Sequence, residues 1–229
     1  MPGFLFADNG LTIIPDNVTD EQALFQGDIL STGFWAAKIG EIRPGDTIAV
    51  IGAGPTGLCT MLCARLYTPA RIIAIDVEQD RLSLAREKGL ADITLVPGKD
   101  PIPEKILSLT GGRGADVVFE AAGGRDTFQT AWQIARANAV VVIVAMYEEP
   151  QILPLPQMYG KNLIFKTGGV DGGFCQEIMD LTACGRLDAS FLITHRCDLE
   201  HIMEAYQVFE EKKDHVIKYA VMPHGAKNV

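Results

Sequence analysis

Between Asp46 and Ile164 the chain alternates short β-branched apolar runs with stretches in which apolar residues recur at helical spacing. Residues 47–51, 71–75, 93–96, 115–119, 139–144 and 162–165 read as strands, and the central runs are almost wholly apolar, the pattern of strands covered by helices on both faces. Between them, 56–67, 79–88, 103–109 and 125–136 carry helical spacing, with Gly89 as a C-cap, and a helix over 175–184 follows a glycine-rich turn at 168–173. This alternation predicts βαβ units and an α/β fold, a doubly wound six-stranded parallel sheet.

The two ends break the alternation. The first 27 residues offer an extended segment at 11–14, a Pro turn and a helix opening at Thr19 or Asp20. The last stretch carries an amphipathic helix with Leu199, Ile202, Met203, Tyr206 and Phe209 on one side, then a strand over 216–222. Such an apolar face must cover a partner.

Composition narrows the function classes. A net charge of −9 with no Lys/Arg run disfavours a nucleic-acid partner. The longest strongly apolar stretch, 139–146, is far short of a membrane span, and the start lacks a basic segment followed by an apolar one, so a cytoplasmic location is expected. Five Cys without a CxxC pair argue against a disulfide framework; Cys59 and Cys63 fall on one helix face as small core residues.

The chemistry concentrates at Gly52-Ala53-Gly54-Pro55-Thr56-Gly57, between a strand and a helix. Gly52 allows the tight turn, Gly54 lets backbone approach a pyrophosphate, and Gly57 permits close packing of helix on strand, while the helix N-terminus presents unpaired N–H groups to phosphate. Asp76 follows the second strand, 19 residues after Gly57, where a carboxylate accepts from the adenosine ribose hydroxyls. The same acid repels a 2′-phosphate. The reading is a Rossmann-type domain whose cofactor is NAD rather than NADP.

A Rossmann domain hosts many chemistries, so the remaining residues must decide among them. No Tyr has Lys four residues later, as a short-chain dehydrogenase requires, and the strand pattern with Asp76 suits a dinucleotide better than a methyltransferase ligand. Asp28-Ile29-Leu30-Ser31-Thr32-Gly33-Phe34-Trp35 followed by Pro44-Gly45-Asp46 resembles the zinc-dependent, medium-chain alcohol dehydrogenase family. In that family a metal ligand precedes a Ser-Thr-Gly-aromatic turn, and a Pro-Gly-Asp turn leads into the glycine strand. The likeness continues through Lys88-Gly89-Leu90-Ala91-Asp92, 112–118 and 192–196.

The resemblance implies that Asp28 stands at a catalytic zinc ligand position, as in secondary-alcohol and threonine dehydrogenase-like members, and that Thr32 lies against the nicotinamide as the catalytic threonine. It implies Arg81 at the adenosine ribose, Ala121 in the cofactor site, and Val144, Ala145 and Met146 along the nicotinamide ribose. Thr167, Gly168 and Gly169 would pass the carboxamide as backbone, and Lys218 would sit near the pyrophosphate. It further implies an alcohol or carbonyl substrate, with Asp28 hinting at secondary alcohols or hydroxy amino acids, and a homodimer or homotetramer paired through the last strand of the sheet.

The chain also departs from that family. Its other zinc ligands, a Cys and the His of a Gly-His-Glu segment, belong to a lobe ahead of the Rossmann domain, and the 27 residues before Asp28 contain neither Cys nor His. The expected organisation is a remnant of a GroES-like catalytic domain at 1–28, the cofactor domain at 29–185 and a return to the catalytic domain at 186–229. His195, His201, His215 and His224 are expected to be structural or solvated, the first two flanking a helix. Three readings stay open: an alcohol dehydrogenase lacking its catalytic lobe, a short NAD(H)-binding protein without turnover, and a structural subunit partner. One protein ligand does not make the three that a catalytic zinc takes. Metal analysis of the purified chain is therefore expected to find substoichiometric zinc; one zinc per chain together with alcohol oxidation would overturn this.

Overall fold

The computed structural model describes residues 11–170, 173–211 and 213–223. Residues 1–10 of the expected N-terminal remnant, Asp171 and Gly172 of the glycine-rich turn, and His224 lie outside the described residues.

Six parallel strands form one sheet: β1 (Thr47–Ile51), β2 (Arg71–Ile75), β3 (Ile93–Leu95), β4 (Ala115–Glu120), β5 (Ala135–Ile143) and β6 (Ile164–Thr167), in the order β3-β2-β1-β4-β5-β6. This is the doubly wound sheet expected from the sequence. Because successive side chains point to opposite faces, the apolar strands build two cores. Ile48, Val50, Ile72, Ala74, Val117 and Phe119 pack with α2 (Ile29–Ile39), α3 (Pro55–Ala64) and α4 (Gln79–Glu87) on one face. Ala49, Ile51, Ile73, Ile75, Val118 and Val141 pack with α5 (Ile102–Leu109) and α6 (Thr127–Ile134) on the other.

The N-terminal segment opens with α1 (Asp20–Ala23), where Thr19 accepts from the Gln22 N–H and Gln22 Oε1 accepts from the Thr19 N–H, a reciprocal cap. Residues 11–14 form no strand. Arg196 forks onto Glu21 at 2.6 and 2.7 Å, so this segment is fastened to the C-terminal part. There α8 (Cys175–Ala183), β7 (Ile193–Asp198), α9 (Ile202–Glu210) and β8 (Lys218–Met222) follow one another, β7 and β8 pairing in parallel as a separate two-stranded sheet. No helix among the described residues is long and apolar enough to cross a membrane.

Several elements differ from the sequence expectation. The Ser31-Thr32-Gly33 stretch, read as a turn, lies inside α2, because Leu30, Phe34 and Ala37 bury one helical stripe. The short helix α7 (Leu155–Met158) and β7 were not anticipated. His195 accordingly sits in a strand rather than beside a helix. On α9 the expected apolar face is open, with Met203 75% and Tyr206 65% exposed, and it is Ala205 that turns inward.

The helix expected over 125–136 ends at Ile134, and β5 starts at Ala135 rather than 139. Lys161 explains the early stop. Its ammonium receives the last helix carbonyls, donating to the oxygens of Trp132, Gln133 and Ala135 at 2.9, 2.8 and 2.8 Å. The pairing with β4 then jumps from Ala115–Ala135 to Val117–Val140, with Asn138 at φ +59° in the irregularity. Lys161→Met leaves these carbonyls without their donor, so stability should fall by about 1–3 kcal/mol. In calorimetry this corresponds to a melting point lower by roughly 3–10 °C; an unchanged melting point would contradict the capping role.

Candidate functional site

β1 and β4 are neighbours in the sheet but distant in sequence, so the chain leaves them toward opposite faces and opens a crevice at their carboxyl ends. Gly52 leaves β1 with φ +99°, its N–H donating to the Ile75 carbonyl at 2.8 Å. A Cβ on Gly57 would stand 1.9 Å from the Gly52 carbonyl oxygen, and one on Gly52 would stand 2.9 Å from the carbonyl carbon of Ala121. Neither position admits a side chain. Gly54 precedes α3 without a side-chain cap and Pro55 occupies its first turn, so the helix brings its N–H groups and positive dipole end to the crevice uncapped.

Asp76 follows β2 and is buried. Its Oδ2 accepts the Ala53 N–H at 2.5 Å and its Oδ1 accepts the Glu78 N–H at 2.8 Å. The carboxylate thus fixes the shape of the glycine turn, a task that the sequence did not reveal. A carboxylate offers about four acceptor positions, so capacity for hydroxyl donors remains. Arg81, on α4, reaches toward the same hollow, its Nη1 3.7 Å from where a Gly54 Cβ would stand. Thr56 lies in the first turn of α3, half-buried.

Asp28 precedes α2; its side chain makes no capping bond, while its carbonyl accepts from the N–H and the Oγ1 of Thr32 at 2.8 and 2.9 Å. A Cβ on Gly33 would lie 2.5 Å from the carbonyl carbon of Cys59, so α2 rests directly on α3 and brings Asp28 and Thr32 alongside it. Burial pushes the Cys59 thiol up to about 12, with the Lys218 ammonium opposing and Asp28 adding to the rise. Lys218, from β8, and Asp28 are therefore both within electrostatic reach of the second turn of α3. Cys63 is also held well above its ordinary value by burial, which leaves both thiols inert in the core.

The other side of the crevice is built on Glu120, which the sequence reading passed over. It is wholly buried at the end of β4, and its Oε1 accepts the N–H groups of Ala122 and Gly123, both at 2.9 Å. Its backbone carbonyl accepts from Val144 at 2.8 Å and Ala145 at 3.0 Å. Met146 is 94% exposed, with its carbonyl oxygen 2.9 Å from where a Gly123 Cβ would stand. Thr167, Gly168 and Gly169, at the end of β6 and beyond, are exposed, and the Gly168 backbone passes Trp35 of α2, whose ring would be 3.2 Å from a Cβ there. A signal for Glu120 existed in the sequence: it closes the apolar run Val117-Val118-Phe119 as Asp76 closes 72–75.

Of the described histidines, only His215 borders the hollow that Arg81 lines. His195 stacks on Tyr219 at 4.9 Å, His201 is exposed 3.5 Å from Glu204, and His215 pairs with Asp80 at 2.7 Å. Among the described residues no three His, Cys, Asp or Glu side chains are grouped to hold a metal.

A family model described as zinc-binding dehydrogenase matches residues 55–183. An alcohol dehydrogenase of Cupriavidus necator is 36% identical over 224 residues, 95% of this chain and 60% of its own length. An NADP-dependent isopropanol dehydrogenase of Thermoanaerobacter brockii is 32% identical, covering 94% of this chain and 63% of its own. The solved structure of alcohol dehydrogenase TADH from Thermus sp. ATN1 superposes with a TM-score of 0.87 at 32% identity, over 93% of this chain and 61% of that one. The chain thus spans about three fifths of the length of these relatives.

The Gly33 contact allows a test in which two effects oppose each other. Helix propensity alone would make Gly33→Ala stabilising by about 1 kcal/mol. With the Cys59 backbone only 2.5 Å away, overpacking should win and leave a net loss of about 1–3 kcal/mol by denaturant unfolding; a gain in stability would refute the close packing of α2 on α3.

Proposed function

Because the chain belongs to the zinc-binding dehydrogenase family, we propose that it is the coenzyme-binding portion of an oxidoreductase that moves hydride between an alcohol carbon and NAD. The observation that carries this reading is the glycine turn fixed by Asp76, through the Ala53 N–H, beside an uncapped helix N-terminus. Bound there, the nicotinamide supplies the hydride donor or acceptor. The backbone of Gly52, Gly54, Pro55, Thr56 and Gly57 follows the pyrophosphate, with Lys218 contributing its charge. Asp76 and Arg81 hold the adenosine ribose. Ala121, Ala145 and Met146 flank the nicotinamide ribose, Thr167, Gly168 and Gly169 run along the carboxamide, and Thr32 lies against the ring.

Asp76 is also the basis for NAD over NADP, since a buried carboxylate fixed in the ribose position repels a 2′-phosphate. Zinc is a different matter. In the family's chemistry the metal polarises the alcohol oxygen, but Asp28 is the only residue of this chain assigned to it, and the described residues offer no three-ligand group. These residues do not fit a catalytic zinc, and no step through it is derived for them. Coenzyme binding without turnover rests on the same cradle and is the second reading, favoured by an Asp28 without metal-ligating companions among the described residues. The natural substrate class is a small alcohol or carbonyl compound. Assembly as a homodimer or homotetramer is supported by the edge strand β6, with Ile164 48% and nearby Tyr159 93% exposed.

Trp35, beside Gly168, provides a local donor for energy transfer to the dihydronicotinamide. Tryptophan-excited NADH emission should rise saturably on titration. Asp76→Ala should weaken NADH by about 10-fold or more, the loss of a charge-assisted hydrogen bond, and narrow the NADH-over-NADPH preference. Failure of the unaltered chain to bind either dinucleotide would refute the reading.

A further inference from the structure

Glu120 has no assigned part in the coenzyme site, yet it joins both loops on one side of the crevice. Its Oε1 gathers the N–H groups of Ala122 and Gly123, and its carbonyl oxygen gathers those of Val144 and Ala145. The two loops also touch each other, since Gly123, at φ +65°, admits no Cβ against the Met146 carbonyl. Tyr147 belongs to the second of these loops, and its hydroxyl is 3.1 Å from Thr127 Oγ1. Burial and the nearby carboxylate push the Tyr147 phenol up, which marks the two groups as neighbours.

Stability alone does not account for such a group. A wholly buried carboxylate carries a heavy desolvation cost, and an apolar residue of similar size in its place is often neutral or stabilising. Oε2 is buried without a hydrogen-bond partner of full geometry among the described residues, which adds to that cost. What the charge supplies is stronger, directional bonds to backbone N–H groups. The loops it orients, 121–124 and 144–147, contain Ala121, Ala145 and Met146.

We infer that Glu120 is a positioning residue for the nicotinamide half of the coenzyme site, setting the two loops that flank that half, with Tyr147 as its buttress. The inference rests on the coenzyme reading above. It divides the crevice: Asp76 shapes the glycine turn and the adenosine side, and Glu120 shapes the opposite side. Each acid ends an apolar strand and turns onto backbone N–H groups of the loop that follows or faces it.

The division is tested by titrating the whole chain with NADH and with ADP, which lacks the nicotinamide nucleotide. Glu120→Gln keeps the volume and one carbonyl acceptor, and its melting curve reports whether folding is intact. Exchanging charge-assisted bonds for neutral ones should raise the NADH Kd about tenfold, while the ADP Kd stays within about twofold. Tyr147→Phe, which deletes a single hydroxyl, should weaken NADH about threefold with the same selectivity and serves if Glu120→Gln folds poorly. An unchanged NADH Kd in both variants, or equal weakening of NADH and ADP, would show Glu120 to be merely structural and overturn the inference while the coenzyme reading stands. An unaltered chain that binds neither ligand would remove the coenzyme reading, and this inference with it.

Discussion

The contact between Gly57 and the Gly52 carbonyl oxygen sets the geometry on which the rest of the site depends. Where a Cβ would be 1.9 Å from that oxygen, only a hydrogen lets α3 start directly on the end of β1. Because α3 starts there, its unpaired N–H groups meet the crevice instead of solvent at a distance. The same closeness puts Gly52 against the Ala121 backbone, which joins the β1 turn to the loop after β4. A second close approach, Gly33 on Cys59, then aligns α2 with α3 and brings Asp28 and Thr32 to the same end of the sheet.

Onto this frame two buried acids add shape. Asp76 and Glu120 stand at the ends of β2 and β4, the strands on either side of β1, and each accepts from backbone N–H groups: Ala53 and Glu78 for the first, Ala122 and Gly123 for the second. Burying a carboxylate without a fixed partner is costly, so an acid in such a place survives where its bonds hold a conformation that packing cannot. The crevice is thereby shaped through peptide groups, which suits a ligand rich in phosphate and hydroxyl oxygens.

The parts outside the sheet have a different character. The face of α9 formed by Met203, Tyr206 and Phe209 is open, and Asp28 has no companions for a metal among the described residues. The relatives are longer than this chain, which covers 60% of the Cupriavidus necator enzyme and 63% of the Thermoanaerobacter brockii one. The glycine turn and the two acids lie within the sheet and its connections, while the larger core extends beyond them to Phe25, Leu187, Leu192 and Ala220.

By itself the sequence determined the layered sheet, the glycine turn and its acid, because short wholly apolar strand runs, helical spacing and the need for a residue without Cβ are all local properties of the chain. Strands at 47–51 and 71–75 could be read to the residue for that reason. Tertiary structure decided what depends on distant partners. Helix α2 looked like a turn because its glycine is required by Cys59 on another helix, and α6 stopped early because Lys161, from far along the chain, receives its carbonyls. Likewise β7 exists through pairing with β8, and the work of Glu120 is visible only when the loops after β4 and β5 lie side by side. Local propensity is written in neighbouring residues, whereas a close contact or a buried charge takes its meaning from groups that only folding brings within hydrogen-bond reach.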